Sequence, residues 1–274
     1  MKTRVISAII AVLIISLTYY FWRVEGLLII CSLAIAGGIF EYSRLTLVPK
    51  KAPFHLRLAF FIFTFALFLA TLWVEALTIP AVALGSVFFI TMTLMIVESV
   101  EDLPKALEFQ SLGVLGLLYC GLFPGLGLRI LRFESGPTWF LGLLAIVFSG
   151  DTFAYLTGRA FGSRKLLEPV SPRKTVEGSI GGLAGSAIAG AVLGAFFLPE
   201  IPLVSIILVA LVTGAFAQVG DLFESLIKRV ADVKDSGSIM PGHGGVLDRL
   251  DGVLFAAPVY YVLVRFLIKD TSFS

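Results

Sequence analysis

The chain has 274 residues, 58% of them hydrophobic and 15% charged, with a mean hydropathy of +0.97. A soluble domain is about half apolar and about a quarter charged, so this composition excludes an ordinary soluble fold and predicts an integral membrane protein. A net charge of +2 is too small to point to nucleic acid as a partner, and the placement of the charges says more than their sum.

A spanning helix needs about 20 mostly apolar residues. Nine runs meet or approach that length: 5–22, 26–40, 58–74, 78–97, 111–128, 138–157, 179–198, 202–224 and 252–268. The predicted fold class is all-α: a polytopic integral membrane protein of about nine transmembrane helices. The first run follows Lys2 and Arg4, as a signal peptide would. Thr18-Tyr19-Tyr20-Phe21-Trp22 stands where a small-residue cleavage site would fall, and aromatics suit a membrane interface. The run therefore reads as a retained first helix. The second run is short and can borrow residues up to Arg44. The fifth holds Pro124 in a Gly-rich stretch, so a kink or break is expected there. Cys31 and Cys120 lie inside apolar runs and read as small core hydrophobes, not as a disulfide or metal pair. On the seventh helix Gly178, Gly182, Ser186, Gly190 and Gly194 recur every four residues. Such a face suits close helix packing, either within the chain or in a homodimer seam. Residues 1–137 are expected to form scaffold and lipid wall, and 138–274 to carry the chemistry.

Orientation follows the positive-inside rule. With the N-terminus cytoplasmic, nine spans place 16 of the 21 Lys and Arg residues on the inner side. The other five are Arg23, Arg129, Arg132, Arg265 and Lys269. The same topology brings Asp151, Asp221, Asp248 and Asp251 to similar depth near the cytoplasmic face.

Several of these residues suggest chemistry by type and spacing. Gln218, Asp221, Ser225 and Lys228 fall on one face of the eighth helix, with Glu224 beside them and Phe216, Val219, Phe223 and Ile227 opposite. A polar stripe on a membrane helix must face a cavity or a partner. A solvated helix end would explain Lys228 and Arg229, but not Asp221 deeper in the span. Asp248 and Asp251 are three apart, so a helix places them on one face. With Asp221 they could hold hard cations through oxygen. Capping a helix start is the alternative for one of them. Arg249 between them could clamp a phosphate or pair with a carboxylate. Pro241-Gly242-His243-Gly244-Gly245 would let backbone N–H groups approach a phosphate, although a lone Gly-rich run is weak evidence. No proton-transfer role falls to His243. In the loop after the sixth helix, Arg173 and Lys174 offer phosphate-neutralising charge beside the hydroxyls of Ser171 and Thr175. Ordinary positive-inside decoration would account for Arg164 and Lys165, but would not require Ser171-Pro172 or Glu177.

Two segments carry a family likeness. One reads Ser225-x-x-Lys228-Arg229, Lys234-Asp235, Pro241-Gly242-His243-Gly244-Gly245 and Asp248-Arg249-x-Asp251. The other reads Asp151-x-x-Ala154-Tyr155 and Ser171-Pro172-x-Lys174-Thr175-x-Glu177-Gly178. Together they resemble the signature of the phosphatidate cytidylyltransferase (CDP-diacylglycerol synthase) family, over roughly residues 145–255. Gly150 departs from it, since Ser or Asp often precedes the family aspartate. The resemblance implies transfer of the cytidylyl group of CTP to phosphatidate, giving CDP-diacylglycerol and pyrophosphate for phospholipid biosynthesis. It implies catalytic roles for Asp221, Lys228, Arg229, Asp248, Arg249 and Asp251. Mg²⁺ would sit on Asp221, Asp248 and Asp251, with a second cation left open. Substrate binding would fall to Asp151, Ser171, Arg173, Lys174, Thr175, Glu177, Ser225, Lys234, His243, Gly244 and Gly245. The implied partners are CTP, phosphatidate and membrane lipids, and the implied location is the bacterial inner membrane with the site facing the cytoplasm. Two alternatives stay open at this point: another CTP-using lipid transferase such as a polyprenol kinase, and an ion-coupled transporter.

Overall fold

The computed structural model describes residues 2–47, 52–95, 97, 99–237 and 244–271, with backbone alone for 2–16, 100 and 269–271. Among these the chain is helical apart from one short antiparallel hairpin, as an all-α membrane protein should be. It divides into two compact units: Met1–Arg129 with Val230–Arg249, and Ile130–Arg229 with Leu250–Ser274. The segment Val230–Arg249 belongs with the N-terminal helices, which a linear reading does not anticipate.

The first unit begins with α1 (Lys2–Thr46), which is not straight. Arg23 has φ 50° and ψ −135°, outside helical geometry. Gly26 approaches Thr18 so closely that a Cβ on Gly26 would stand 2.5 Å from Thr18 Cγ2. A straight helix would hold the two about 12 Å apart along its axis. The chain therefore doubles back at Arg23, and the apolar runs at 5–22 and 26–40 are the two arms of this turn. Eight helices among the described residues are long and apolar enough to cross a membrane, the first counted from Leu17. The ninth expected run, 5–22, is the arm before the turn, and most of its side chains lie outside the described residues.

Then come α2 (Phe54–Trp73), α3 (Glu75–Leu94) and α4 (Leu103–Gly116). A π-helical turn, Leu117–Leu122, joins α4 to α5 (Phe123–Arg129). The Phe123 N–H bonds Leu118 O, five residues back. Pro124 lacks an N–H, and its ring would press on the carbonyl four residues earlier, so a widened turn ahead of it relieves both problems. The irregularity expected at Pro124 is this turn. The unit's core is aromatic: Tyr42 stacks on Phe60, and Phe60 meets Phe89 edge-on. The buried Tyr42 hydroxyl donates to Leu112 O at 2.9 Å. Gly113 and Gly116 lie against Phe89 and against Tyr42 and Phe60, where a side chain would collide.

The second unit holds α6 (Gly136–Phe161), the strands β1 (Lys165–Leu167) and β2 (Ser171–Thr175), α7 (Val176–Phe197), α8 (Leu203–Val230) and the body of α9 (Leu247–Thr271). The small-residue face of α7 is spent inside this unit. Gly178 and Gly182 abut Gly158 and Ala154 of α6, while Gly190 and Gly194 abut Ala210 and Ile206 of α8. Ser186 lies between, donating to Ile146 O at 3.1 Å and pressed against Gly214. The stripe thus joins three helices of one chain. Large apolar side chains such as Ile180, Ile188 and Phe196 point outward, as on a surface that meets lipid.

Candidate active site

The hairpin after α6 places the first site residue. Glu177 opens α7 and its carboxylate accepts from the Ser163 N–H and hydroxyl and from the Arg164 N–H and Nε. Thr175 caps α7, its hydroxyl oxygen accepting the Gly178 N–H at 3.1 Å. Lys165 Nζ donates to Pro172 O at 2.6 Å across the strands. Glu177, Thr175 and Lys165 therefore build the hairpin. For Glu177 and Thr175, expected to bind substrate, these bonds are structural ones. What the hairpin presents is Lys174. Its Nζ lies 2.6 Å from Asp221 Oδ2 on α8, with the side chains 25% and 36% exposed.

Asp221 can stand there because α8 and α9 touch. A Cβ on Gly220 would lie 2.5 Å from Asp251 O and 2.7 Å from Phe255 Cβ, so only glycine permits the approach. The next residue, Asp221, thereby comes near the first turns of α9. Asp251 and Asp151 both feel the charge of Asp221, Asp151 also that of Lys174, and Asp251 that of Lys228. Asp251 Oδ1 accepts the Gly252 N–H at 2.8 Å.

The polar stripe of α8 divides its labour. Gln218 is structural, accepting from the Ser179 hydroxyl and donating to Ser179 O at 3.0 Å. Ser225 reaches back to Asp221 Oδ1 at 3.5 Å. Lys228 pairs with Glu224 at 2.5 Å, and Glu224 is 1% exposed. Arg229 donates from Nε to Val170 O at 3.2 Å, which fastens the end of α8 to the hairpin. Arg173 is exposed and Ser171 half-buried on β2.

In the first unit Asp248 is held differently. Its Oδ2 accepts the N–H groups of Ser236 and Gly245, both at 2.8 Å, and the Ser236 hydroxyl at 2.9 Å. The bond to Gly245, three residues earlier, ties Asp248 to the turn that leads into α9. Gly244 has φ +85°, a conformation L side chains rarely adopt, and Gly245 has its N–H engaged by Asp248. Lys234 and Arg249 are exposed, and His243 lies outside the described residues. Sequence reasoning passed over Glu41 and Ser236, which join this cluster: the Ser236 hydroxyl also lies 3.1 Å from Glu41 Oε2. A lone acid within an apolar run was the signal for Glu41.

The second unit's donor set suits a hard cation. Four carboxylates, Asp151, Asp221, Glu224 and Asp251, share two ammonium groups, Lys174 and Lys228. Among the described residues no three His, Cys, Asp or Glu side chains gather closely enough to hold an ion by themselves. Mg²⁺ is commonly held by one or two carboxylates together with substrate phosphates, and this arrangement fits that manner.

Charged side chains on facing helices, in a chain otherwise built for lipid, define a membrane protein with a polar site set between its helices. Comparison with known proteins narrows the class. A family model described as "Cytidylyltransferase family" matches residues 2–267. Phosphatidate cytidylyltransferase of Staphylococcus saprophyticus is 33% identical over 192 residues, 70% of this chain and 71% of that protein. The protein of the same name from Bacillus subtilis (strain 168) is 41% identical over 131 residues, 48% of this chain and 49% of the relative. That from Brucella abortus biovar 1 is 44% identical over 149 residues, 54% of each. The chain thus spans about half the length of these last two relatives. It belongs to the cytidylyltransferase family.

Proposed function

We propose that this protein transfers the cytidylyl group of CTP to phosphatidate, releasing pyrophosphate and forming CDP-diacylglycerol. An oxygen of the phosphatidate phosphate bonds to the α-phosphorus of CTP, and the bond from that phosphorus to the bridging oxygen of the β-phosphate breaks. The attacking group is already an anion, so no Ser, Cys or strong general base is required. The barrier is repulsion between anions and the charge gathering on the leaving pyrophosphate.

The observation that carries this reading is the Lys174–Asp221 pair, 2.6 Å apart and partly exposed between the hairpin and α8. An ammonium paired with a carboxylate at a partly exposed position can turn to a phosphate when one arrives. Lys174 would then neutralise triphosphate oxygens, with Lys228, Arg229 and Arg249 adding charge for the nucleotide and the lipid headgroup. Asp221 and Asp251 would hold magnesium, and the family resemblance adds Asp248 to the acidic set. When held by Asp221 and Asp251, the ion would supply positive charge that offsets the charge gathering on the leaving group. A second cation and a homodimer are compatible with this reading. The acyl chains would remain in the bilayer, and the site would face the cytoplasm of a bacterial cell membrane, where CTP is dissolved. The family membership and the names of the relatives support the substrate pair.

The test is pyrophosphate release by purified protein in mixed micelles, with CTP and Mg²⁺ and either phosphatidate or a polyprenol. Release that needs all of CTP, Mg²⁺ and phosphatidate is expected. CTP-dependent phosphorylation of the polyprenol, with no pyrophosphate from phosphatidate, would overturn the proposal in favour of a lipid kinase.

A further inference from the structure

Glu41 is a buried carboxylate that the chemistry above does not use. It stands in α1 within an apolar stretch and is 2% exposed. An acid at such a place is costly unless its oxygens are engaged. Glu41 Oε2 accepts the Leu247 N–H at 3.0 Å and the Ser236 hydroxyl at 3.1 Å. Leu247 begins α9, and N–H groups in a first helical turn have no partner within the helix. The carboxylate thus supplies a missing acceptor, and its charge opposes the positive end of the helix dipole. Ser236 continues the chain of bonds: its N–H and hydroxyl both reach Asp248 Oδ2. Because the hydroxyl has one proton, it serves Glu41 or Asp248 at any moment, while the Ser236 N–H stays with Asp248. Gly237 and Gly245 press on the Glu41 carboxylate, and a Cβ at either position would collide with it. The two stretches 236–237 and 244–248 are therefore packed around one side chain from a helix some two hundred residues earlier.

We propose that Glu41 is a positioning residue: it fixes the first turn of α9 and, through Ser236, the rotamer of Asp248. This rests on the reading of Asp248 as part of the acidic set that serves the phosphates and magnesium. Glu41 itself acts as a hydrogen-bond acceptor, and this separates it from a ligand that must be charged.

The experiment combines two measurements on the detergent-solubilised full chain: amide hydrogen exchange, and the Mg²⁺ concentration for half-maximal CTP turnover. Glu41→Leu keeps the bulk and removes the Oε2 acceptor. It should speed exchange at Leu247 and Gly245 and raise the Mg²⁺ requirement roughly 10- to 100-fold, the usual effect of losing a group that orients a ligand. Glu41→Gln keeps an amide oxygen where Oε2 stands and should remain near wild type in both. Ser236→Ala, which breaks only the bridge, should fall between them and decides the matter if Glu41→Leu does not fold. Wild-type exchange and Mg²⁺ dependence in Glu41→Leu, or an unchanged Mg²⁺ dependence in Ser236→Ala, would overturn the proposal. So would a Glu41→Gln variant as impaired as Glu41→Leu, which would make Glu41 a charged ligand. If the wild-type protein turned over no CTP with phosphatidate, the functional reading would fall, and exchange at Leu247 and Gly245 would alone decide the positioning role.

Discussion

Asp221 in the second unit is held by side chains, Lys174 and Ser225, whereas Asp248 in the first is held by the backbone amides of Ser236 and Gly245 with the Ser236 hydroxyl beside them. The first kind of support is adjustable. Lys174 hangs on a flexible four-carbon stem from a short hairpin, and both partners are partly exposed. The second kind is fixed, because amide donors move only if the loop moves. An acid that must trade partners with an arriving polyphosphate is best held by a mobile cation. An acid that must keep one orientation through the cycle is best held by the main chain. The two clusters thus suggest a division of labour, and substitutions can test it.

The largest effect is expected at the adjustable cluster. Asp221→Asn and Asp251→Asn preserve shape and remove charge. Each should lower kcat/KM with CTP by roughly a hundredfold or more, because charge stabilisation of the leaving group in a water-poor site is the dominant catalytic contribution. The yield of folded protein should not fall. Wild-type turnover with unchanged Mg²⁺ dependence in either variant would remove that residue from the site. Lys174→Gln comes next. Losing one charge-assisted contact there should cost about 2–4 kcal/mol of transition-state stabilisation, roughly 30- to 1,000-fold in rate. If Lys174 serves only to neutralise Asp221, the double variant Lys174→Gln with Asp221→Asn should be no more impaired than Asp221→Asn alone. If it also clamps a phosphate, the double variant should be clearly more impaired than Asp221→Asn alone.

How much of this was legible from the sequence depends on the range of the interaction. The nine apolar runs were readable because length and hydropathy are local, and even the turn at Arg23 lies between two of them. The spacing of Gln218, Asp221, Ser225 and Lys228 placed them on one face. It did not reveal that Gln218 would be used by Ser179, or Lys228 by Glu224. Those partners come from another helix and from the flank of the stripe. The hairpin at 165–175 read as a loop, since its strands are short and show no alternation. It is kept in place by Glu177, Thr175 and the Lys165 bond to Pro172 rather than by a buried face. The return of Val230–Arg249 to the first unit was invisible, because it depends on Glu41 meeting Ser236 and Leu247. Only the oddity of an acid in an apolar helix could have marked Glu41, and it was passed over.

The smallest effect sharpens the comparison from the other side. Arg164 and Lys165 share a hairpin with Lys174, and by charge alone the three are equivalent. Their contacts differ. The Arg164 side chain is 74% exposed and lies 3.3 Å from Glu177, which also has the Ser163 and Arg164 backbone N–H groups. Lys165 bonds a backbone oxygen of its own hairpin. Exposed pairs of this kind contribute little, since water screens them and both side chains lose freedom in making them. Arg164→Gln and Lys165→Gln should therefore shift the melting temperature in detergent slightly and leave kcat/KM near wild type, while Lys174→Gln is severely impaired. Equal losses in all three variants, each normalised to folded protein, would mean that the hairpin acts through its total positive charge. The Lys174–Asp221 contact would then be one ion pair among several, and the adjustable support assigned to Asp221 would lose its basis.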